Sequence, residues 1–206
     1  MTVLALETAS SHGSLALLRD QACLALQPLE TRNFAALLVP ALQALLDAQG
    51  LELNRLDLLA VANGPGSFTG VRIGLATVKA LSETLSLPAV AVGTLQAAAS
   101  AATNPGPTLA AIDAGRGEIY YGMYPEGHEG VENSTSFALR LQQWSGEALT
   151  PDAALAAAHP GLRVIGPLLA PAVGRLAAAA WIADPHQAAA NPLTLDARYL
   201  GARWER

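Results

Sequence analysis

The chain has 206 residues, 51% of them apolar, with a net charge of −5 and a single cysteine, Cys23. That is enough for one large domain or two lobes. It excludes a disordered chain, an intramolecular disulfide and a helical membrane span, since no run of about 18 apolar residues exists. Apart from Arg198, Arg203 and Arg206 there is no Lys/Arg cluster, so the chain is poorly equipped to grip phosphate backbones unaided. The opening MTVLALETAS has no basic region and turns polar at Glu7, which with the lone cysteine predicts a cytoplasmic protein.

In chain order, residues 3–6 are an apolar strand running into the polar turn Glu7-Thr8-Ala9-Ser10-Ser11-His12-Gly13; residues 14–18 return as a second strand and 22–26 as a third. From 32 to 49, Phe34, Leu37, Leu38, Ala41, Leu42, Leu45 and Leu46 recur at i, i+3, i+4, i+7, predicting an amphipathic helix. Thr31 or Asn33 is its expected cap and Gly50 its end, with Pro40 kinking it or marking its true start. Ala35, Ala36, Val39 and Ala44 make the other side apolar too, so the helix should be covered twice, by its own sheet and by something else.

A strand at 58–62 leads into Asn63-Gly64-Pro65-Gly66-Ser67-Phe68-Thr69, where Gly-Pro-Gly breaks regular structure and Ser67 or Thr69 is placed to cap the next helix. From Gly70 the pattern is helical, with one stripe of Val71, Leu75, Val78 and Ser82 and a second, mostly small stripe of Gly70, Gly74, Thr77 and Leu81. Each glycine inside a helix costs about 1 kcal/mol relative to alanine, so Gly70 and Gly74 predict another backbone close by. The loop stands where a phosphate loop would. Yet the only lysine, Lys79, is deep in the helix, and neither the Walker A nor the Rossmann spacing is met. A tight turn packing a helix against a sheet is the expectation, ahead of direct ligand contact.

Residues 89–92 read as a strand, and Gly93-Thr94-Leu95-Gln96 opens an alanine-rich helix to about Thr103. Then the opening pattern recurs: Ala110-Ala111-Ile112-Asp113 lines up with Leu4-Ala5-Leu6-Glu7 as strand, carboxylate and turn, and residues 119–124 return. The remainder reads as a loop at 125–130, weak alternation at 138–144, a short helix at 151–158 with Asp152 in its first turn, a strand at 162–165 ended by Gly166-Pro167, and an alanine-rich helix at 172–182.

The run GPGSFTGVRIGLATVKAL, with Gly64, Pro65, Gly66, Ser67, Phe68 and Thr69 as its loop, resembles the signature of the bacterial TsaB (YeaZ) family. The resemblance covers residues 1–124 well and the rest poorly; the closing Tyr199-Leu200 resembles the family's Tyr-Leu-Arg, with Gly201 in place of the arginine. It implies the α/β fold of the actin-like ATPase (sugar kinase/Hsp70/actin) superfamily, as two ribonuclease-H-like lobes, 1–104 and a shortened 105–206. It also implies a non-catalytic subunit, without cofactor, that pairs with TsaD and with TsaE for threonylcarbamoyl transfer to the tRNA adenosine next to the anticodon. The tRNA would be met only through that complex. In the superfamily the acid after the first strand, usually Asp, helps to position metal and phosphates. Glu7 and Asp113 stand there, expected as vestigial acids on solvated turns.

TsaD follows a similar glycine-rich turn and helix with His-x-x-x-His. Alignment through the signature puts Thr94 and Ala98 at those places, and His12, His128, His159 and His186 have no ligand spacing, so no metal is expected. Relatives usually carry histidine where Phe34 stands. The outer faces of the two N-terminal helices are the expected partner surface, with Phe34, Leu38 and Val39 as anchors, Gly70 and Gly74 admitting close approach, and Arg72 and Lys79 at the rim. Without TsaD the same patch is expected to drive homodimerisation. The competing readings are a small-molecule phosphotransferase using Glu7 and Asp113 around a magnesium nucleotide, and a peptidase, for which no nucleophile–base pair is evident.

Overall fold

Strand β1 (Thr2–Glu7) is buried along its whole length and pairs antiparallel with β2 (Gly13–Arg19), which pairs with β3 (Ala22–Leu29). Helix α1 (Phe34–Ala48) follows, then β4 (Leu58–Ala62), helix α2 (Phe68–Leu85) and β5 (Ala89–Val92). The parallel pairs β1–β4 and β4–β5 complete a sheet of order β3-β2-β1-β4-β5. These bounds come from a computed structural model that describes residues 1–29, 33–165, 168–189 and 195–198. The expected Thr31 cap, the Arg32 start of the first helix, Gly166-Pro167, Tyr199, Leu200, Gly201, Arg203 and Arg206 lie outside the described residues.

After helix α3 (Thr94–Ala99) the pattern repeats. Strands β6 (Thr108–Gly115), β7 (Glu118–Tyr124) and β8 (His128–Asn133) form an antiparallel meander; helix α4 (Ser134–Gln143), β9 (Glu147–Thr150), helix α5 (Ala153–Ala158) and β10 (Arg163–Val164) follow. The second sheet runs β10-β9-β6-β7-β8, the first sheet's order element for element, with β9 parallel to both β6 and β10. Helix α6 (Ala170–Ala183) and the short α7 (Pro185–Ala188) close the described chain. Two copies of one five-stranded topology make two lobes of ribonuclease-H-like fold.

Alternation along the strands explains the layering. In the first sheet Val61 faces α2, whose Gly74 lies against it, while Ala5 and Leu18 face α6, whose Gly174 lies against both. In the second, Leu109, Ala111, Ile119 and Tyr121 pack with Phe137 of α4 and Leu155 of α5, whereas Ala110, Ile112 and Tyr120 pack with Leu95 and Ala98 of α3. The third helix of each half therefore crosses to the other half's sheet. The layers read α1/α2, first sheet, α6 with α3, second sheet, α4/α5.

Candidate functional site

Between the lobes lies a cleft of about 270 Å³ lined by the turn after β1 (Ala9, Ser10, Ser11), the signature loop (Gly66 to Gly70), the turn after β6 (Asp113 to Gly115) and Asp152. That is below the roughly 300–1,000 Å³ of small-molecule sites. No lysine or arginine lines it among the described residues.

Glu7 is fully buried, which corrects the expected solvated turn acid. One carboxylate oxygen accepts the backbone N–H groups of Ala9 (2.6 Å) and Ser10 (2.7 Å), and the other accepts the Ser10 hydroxyl at 2.7 Å. The burial has a source: Ser14, paired with Glu7 across β1–β2, accepts the N–H of Ala170, so α6 arrives over this corner from the other half of the chain. Burial pushes the Glu7 carboxyl above its ordinary 4.5, and the three donors pull it back in part. Asp113 differs. It is exposed and, among the described residues, accepts the N–H of Gly115, closing its own turn. Each acid is spent on a local turn, in different surroundings.

The signature loop is shaped by that first turn. Ser67 is the N-cap of α2 and accepts the N–H of Gly70 at 3.2 Å, while Thr69 is already inside the helix. The carbonyl of Ala9 accepts the N–H of Ser67 (2.7 Å), and the Thr8 hydroxyl donates to the Gly70 carbonyl (2.7 Å). A Cβ on Gly66 would strike the Ala9 carbonyl, one on Gly70 the Thr8 carbonyl, and one on Gly74 the Thr8 hydroxyl. The close approach inferred from the glycines is thus made by the chain's own turn. Gly70 and Gly74 face inward, and their expected role in admitting a partner is corrected. Gly64, at φ +105° before a cis Pro65, has the Arg198 carbonyl against it.

The expected interface residues divide. Phe34 and Leu38, 2% and 1% exposed, belong to the core stripe of α1 with Leu42, Leu45 and Leu46, so they are not outer-face anchors. The Phe34 ring lies against Gly13 instead. Val39 is 62% exposed on the opposite side, in company with exposed Ala35, Ala36, Pro40 and Ala44. Arg72 is exposed on α2 with its guanidinium 3.6 Å from the Phe68 ring centroid, and Lys79 is half-buried two turns on. Thr94 and Ala98, where the resemblance puts the TsaD histidines, are wholly buried, Ala98 against the second sheet and Thr94 with its N–H on the Gly64 carbonyl. Among the described residues no group of three His, Cys, Asp or Glu side chains is placed to hold a metal ion.

From the sequence, residues 195–198 resemble part of the family's closing segment but have no place in the site. The Arg198 N–H donates to the Asn63 carbonyl (2.7 Å), and the Arg198 guanidinium lies 3.0 Å from Glu129 of β8. Glu129 also accepts the Tyr124 hydroxyl at 2.5 Å; burial, with that hydrogen bond second, raises the Tyr124 pKa above its usual value. Nothing local in the sequence joins Asn63, Glu129 and Arg198. The one available signal was a glycine at position 64 that needs a neighbour to explain it.

Residues 28–156, more than half of the chain, match the family model described as "TsaD: tRNA N6-adenosine threonylcarbamoyltransferase". The chain is 37% identical over 162 residues to the Escherichia coli tRNA threonylcarbamoyladenosine biosynthesis protein TsaB, covering 73% of this chain and 70% of that protein. Its match to Haemophilus influenzae TsaB is 36% identical and covers 59% of this chain and 52% of that protein; for Bacillus subtilis TsaB the values are 35%, 60% and 55%. The solved structure of YeaZ from Pseudomonas aeruginosa superposes with a TM-score of 0.76 at 27% identity, over 97% of this chain and 99% of that one. With the two-lobed fold and the inward-facing signature glycines in place, these similarities make the chain a member of the TsaB (YeaZ) family.

Proposed function

We propose that this chain is a cytoplasmic, non-catalytic docking subunit that pairs with TsaD, and through that pair with TsaE, in the biosynthesis of threonylcarbamoyladenosine on tRNA. The observation that carries the reading is the outer face of α1. Ala35, Ala36, Val39, Pro40 and Ala44 present an exposed apolar surface beside the exposed side of α2. Neighbouring surfaces of this kind are used for association, and the pair of helices is broad enough to supply the roughly 800 Å² per partner of a specific interface. The reduced anchor set is Val39 with its small neighbours, and Arg72 and Lys79 stay at the rim. Without TsaD the same face self-pairs into a homodimer. The tRNA is met through the complex, because the net charge of −5 gives this chain little hold on phosphates.

The phosphotransferase alternative needs a carboxylate free to work on a metal nucleotide. Glu7 has three donors on its two oxygens, and no cation lines the small cleft among the described residues. The test is Val39→Glu. A charge placed in a buried interface without a partner costs several kcal/mol, so the variant should keep its circular dichroism spectrum and lose both self-association and binding to the same organism's TsaD in light scattering. Unchanged TsaD affinity in the folded variant would place the contact elsewhere.

A further inference from the structure

The inner face of the second sheet is only partly covered. Alternation puts Thr108 on that face with Ala110 and Ile112 of β6, and Tyr124 of β7 stands opposite Thr108 across the ladder. Helix α3 covers Ala110, Ile112 and Tyr120. Beside its last turn, Thr108 and Tyr124 are left as the floor of a pocket of about 630 Å³, walled by Ala99 of α3, Leu176 of α6, Pro107 and Pro125. Unlike the smaller cleft between the acid-bearing turns, this volume falls within the roughly 300–1,000 Å³ of small-molecule sites, which favour junctions between domains.

The walls are held from outside the pocket. Glu129 accepts the Tyr124 hydroxyl, and the Pro107 carbonyl accepts the N–H of Glu147. The Glu147 carboxylate in turn accepts the N–H groups of Thr103 and Asn104, on the approach to Pro107. The pocket is therefore formed before anything enters it, which lowers the cost of filling it. One polar group is left over inside. Thr108 is 4% exposed and lines the pocket, and among the described residues its hydroxyl has no hydrogen-bond partner. Buried hydroxyls nearly always have one, and a purely apolar occupant would strand it. At the mouth stand the exposed side chains of Gln96 and Glu126, and no lysine or arginine lines the pocket among the described residues.

We infer that this pocket binds a heteroaromatic amine: a flat ring seated on Tyr124 between the two prolines and Leu176, with its ring N–H on the Thr108 hydroxyl and its ammonium group at the Glu126 carboxylate. The apolar walls suit the ring. The polar lining offers acceptors and no cation, so a phosphate or carboxylate meets no opposite charge there and an ammonium group does. None of the lining residues belongs to α1 or α2, so the site is independent of the docking face.

Tryptamine and indole-3-acetate carry the same ring with opposite charges. Titrated into the whole chain and followed by amide NMR shifts, tryptamine should move the signals of Ser100, Thr108 and Glu126 to saturation. Indole-3-acetate should bind a few-fold more weakly, the scale of an exposed ion pair, and Glu126→Lys should reverse that order. Thr108→Val keeps the shape and removes the hydroxyl, so it should weaken both ligands about fivefold, the scale of one buried hydrogen bond. Ser100→Trp fills the mouth from an exposed position and should abolish binding of both at an unchanged Tm. Shifts that do not saturate, or that cluster elsewhere, overturn the site, as does saturable binding that survives Ser100→Trp. An order of affinities that Glu126→Lys leaves unchanged overturns the amine. Should Thr108→Val fail to fold, the other two variants decide the matter.

Discussion

Glu7 is the residue on which the first turn depends, and its two opposing influences give a pH signature. Removing the carboxylate in Glu7→Ala leaves the N–H groups of Ala9 and Ser10 buried without their acceptor, while the Ser10 hydroxyl keeps the His12 carbonyl at 3.2 Å. At about 1–3 kcal/mol per stranded group, with partial relaxation, the loss should be about 3 kcal/mol. Glu7→Gln keeps an oxygen for the two backbone donors and offers an amide to the hydroxyl, so it should fold. The linkage has a definite sign. The folded-state pKa is raised above the ordinary 4.5 by burial, so the folded protein holds this proton where the unfolded chain has released it. The benefit of the protonated side chain is fully present below the unfolded pKa and is lost as pH rises through the folded value. Glu7→Gln removes that loss. Urea unfolding across this range should show the variant gaining on the wild type as pH increases from about 4.5. Parallel pH profiles for the two proteins would mean that the three hydrogen bonds hold the carboxyl at its ordinary pKa.

At the scale of elements, α2 shows a rule and its exception together. Alanine exceeds glycine in helix propensity by about 1 kcal/mol, so Gly70→Ala should stabilise an isolated helix. In this protein the new Cβ would strike the Thr8 carbonyl, a backbone atom that cannot swing aside. Overpacking costs about 1–3 kcal/mol, and the predicted outcome is a lower urea midpoint with an unchanged slope. A higher midpoint would show that the turn after β1 yields easily.

The same contrast explains which elements are legible in the sequence. Helices α1 and α2 and strands β1, β2 and β4 bury a full stripe or a whole strand, so their periods stand out. Strand β8 (HEGVEN) lies at a sheet edge, half-exposed and mostly polar, and its sequence reads as a loop. Helix α4 buries only Phe137, too little for a helical period to show. Within α1 the period identifies two apolar sides but not which of them faces the core. Phe34 and Leu38 point inward because they share a stripe with Leu42, Leu45 and Leu46, against the expectation that they anchor a partner. The contacts of Arg198 with Asn63 and Glu129 and those from the Thr8 turn to the signature glycines join residues tens of positions apart, and no local pattern records such pairs.

For the whole molecule, the crossing of α3 and α6 makes each lobe depend on the other half of the chain. The inner face of the first sheet is covered by Ala170, Val173, Ala177 and Ala178 of α6, while the second sheet is covered by Leu95 and Ala98 of α3. A boundary near residue 104 divides the sheets but not the cores, and a lobe cut there would leave an apolar sheet face bare. The intact chain should therefore unfold as one cooperative unit even though it contains two copies of one topology. Two tryptophans are placed to test this: Trp144 packs in the second lobe's core, and Trp181, on α6, packs against the first lobe's. Variants that keep only one of them should melt at the same temperature by fluorescence, coincident with the loss of helical circular dichroism. Gly174→Val sharpens the experiment. A side chain at that position meets Leu18 and Ala5, so the substitution should lift α6 from the first sheet. If the lobes are coupled, the Trp144 transition must fall with the Trp181 transition, although position 174 lies on the first lobe's sheet. A Trp144 melt that stays at the wild-type temperature would show that the second lobe keeps its core by itself and that the exchanged helices decorate the lobes without uniting them.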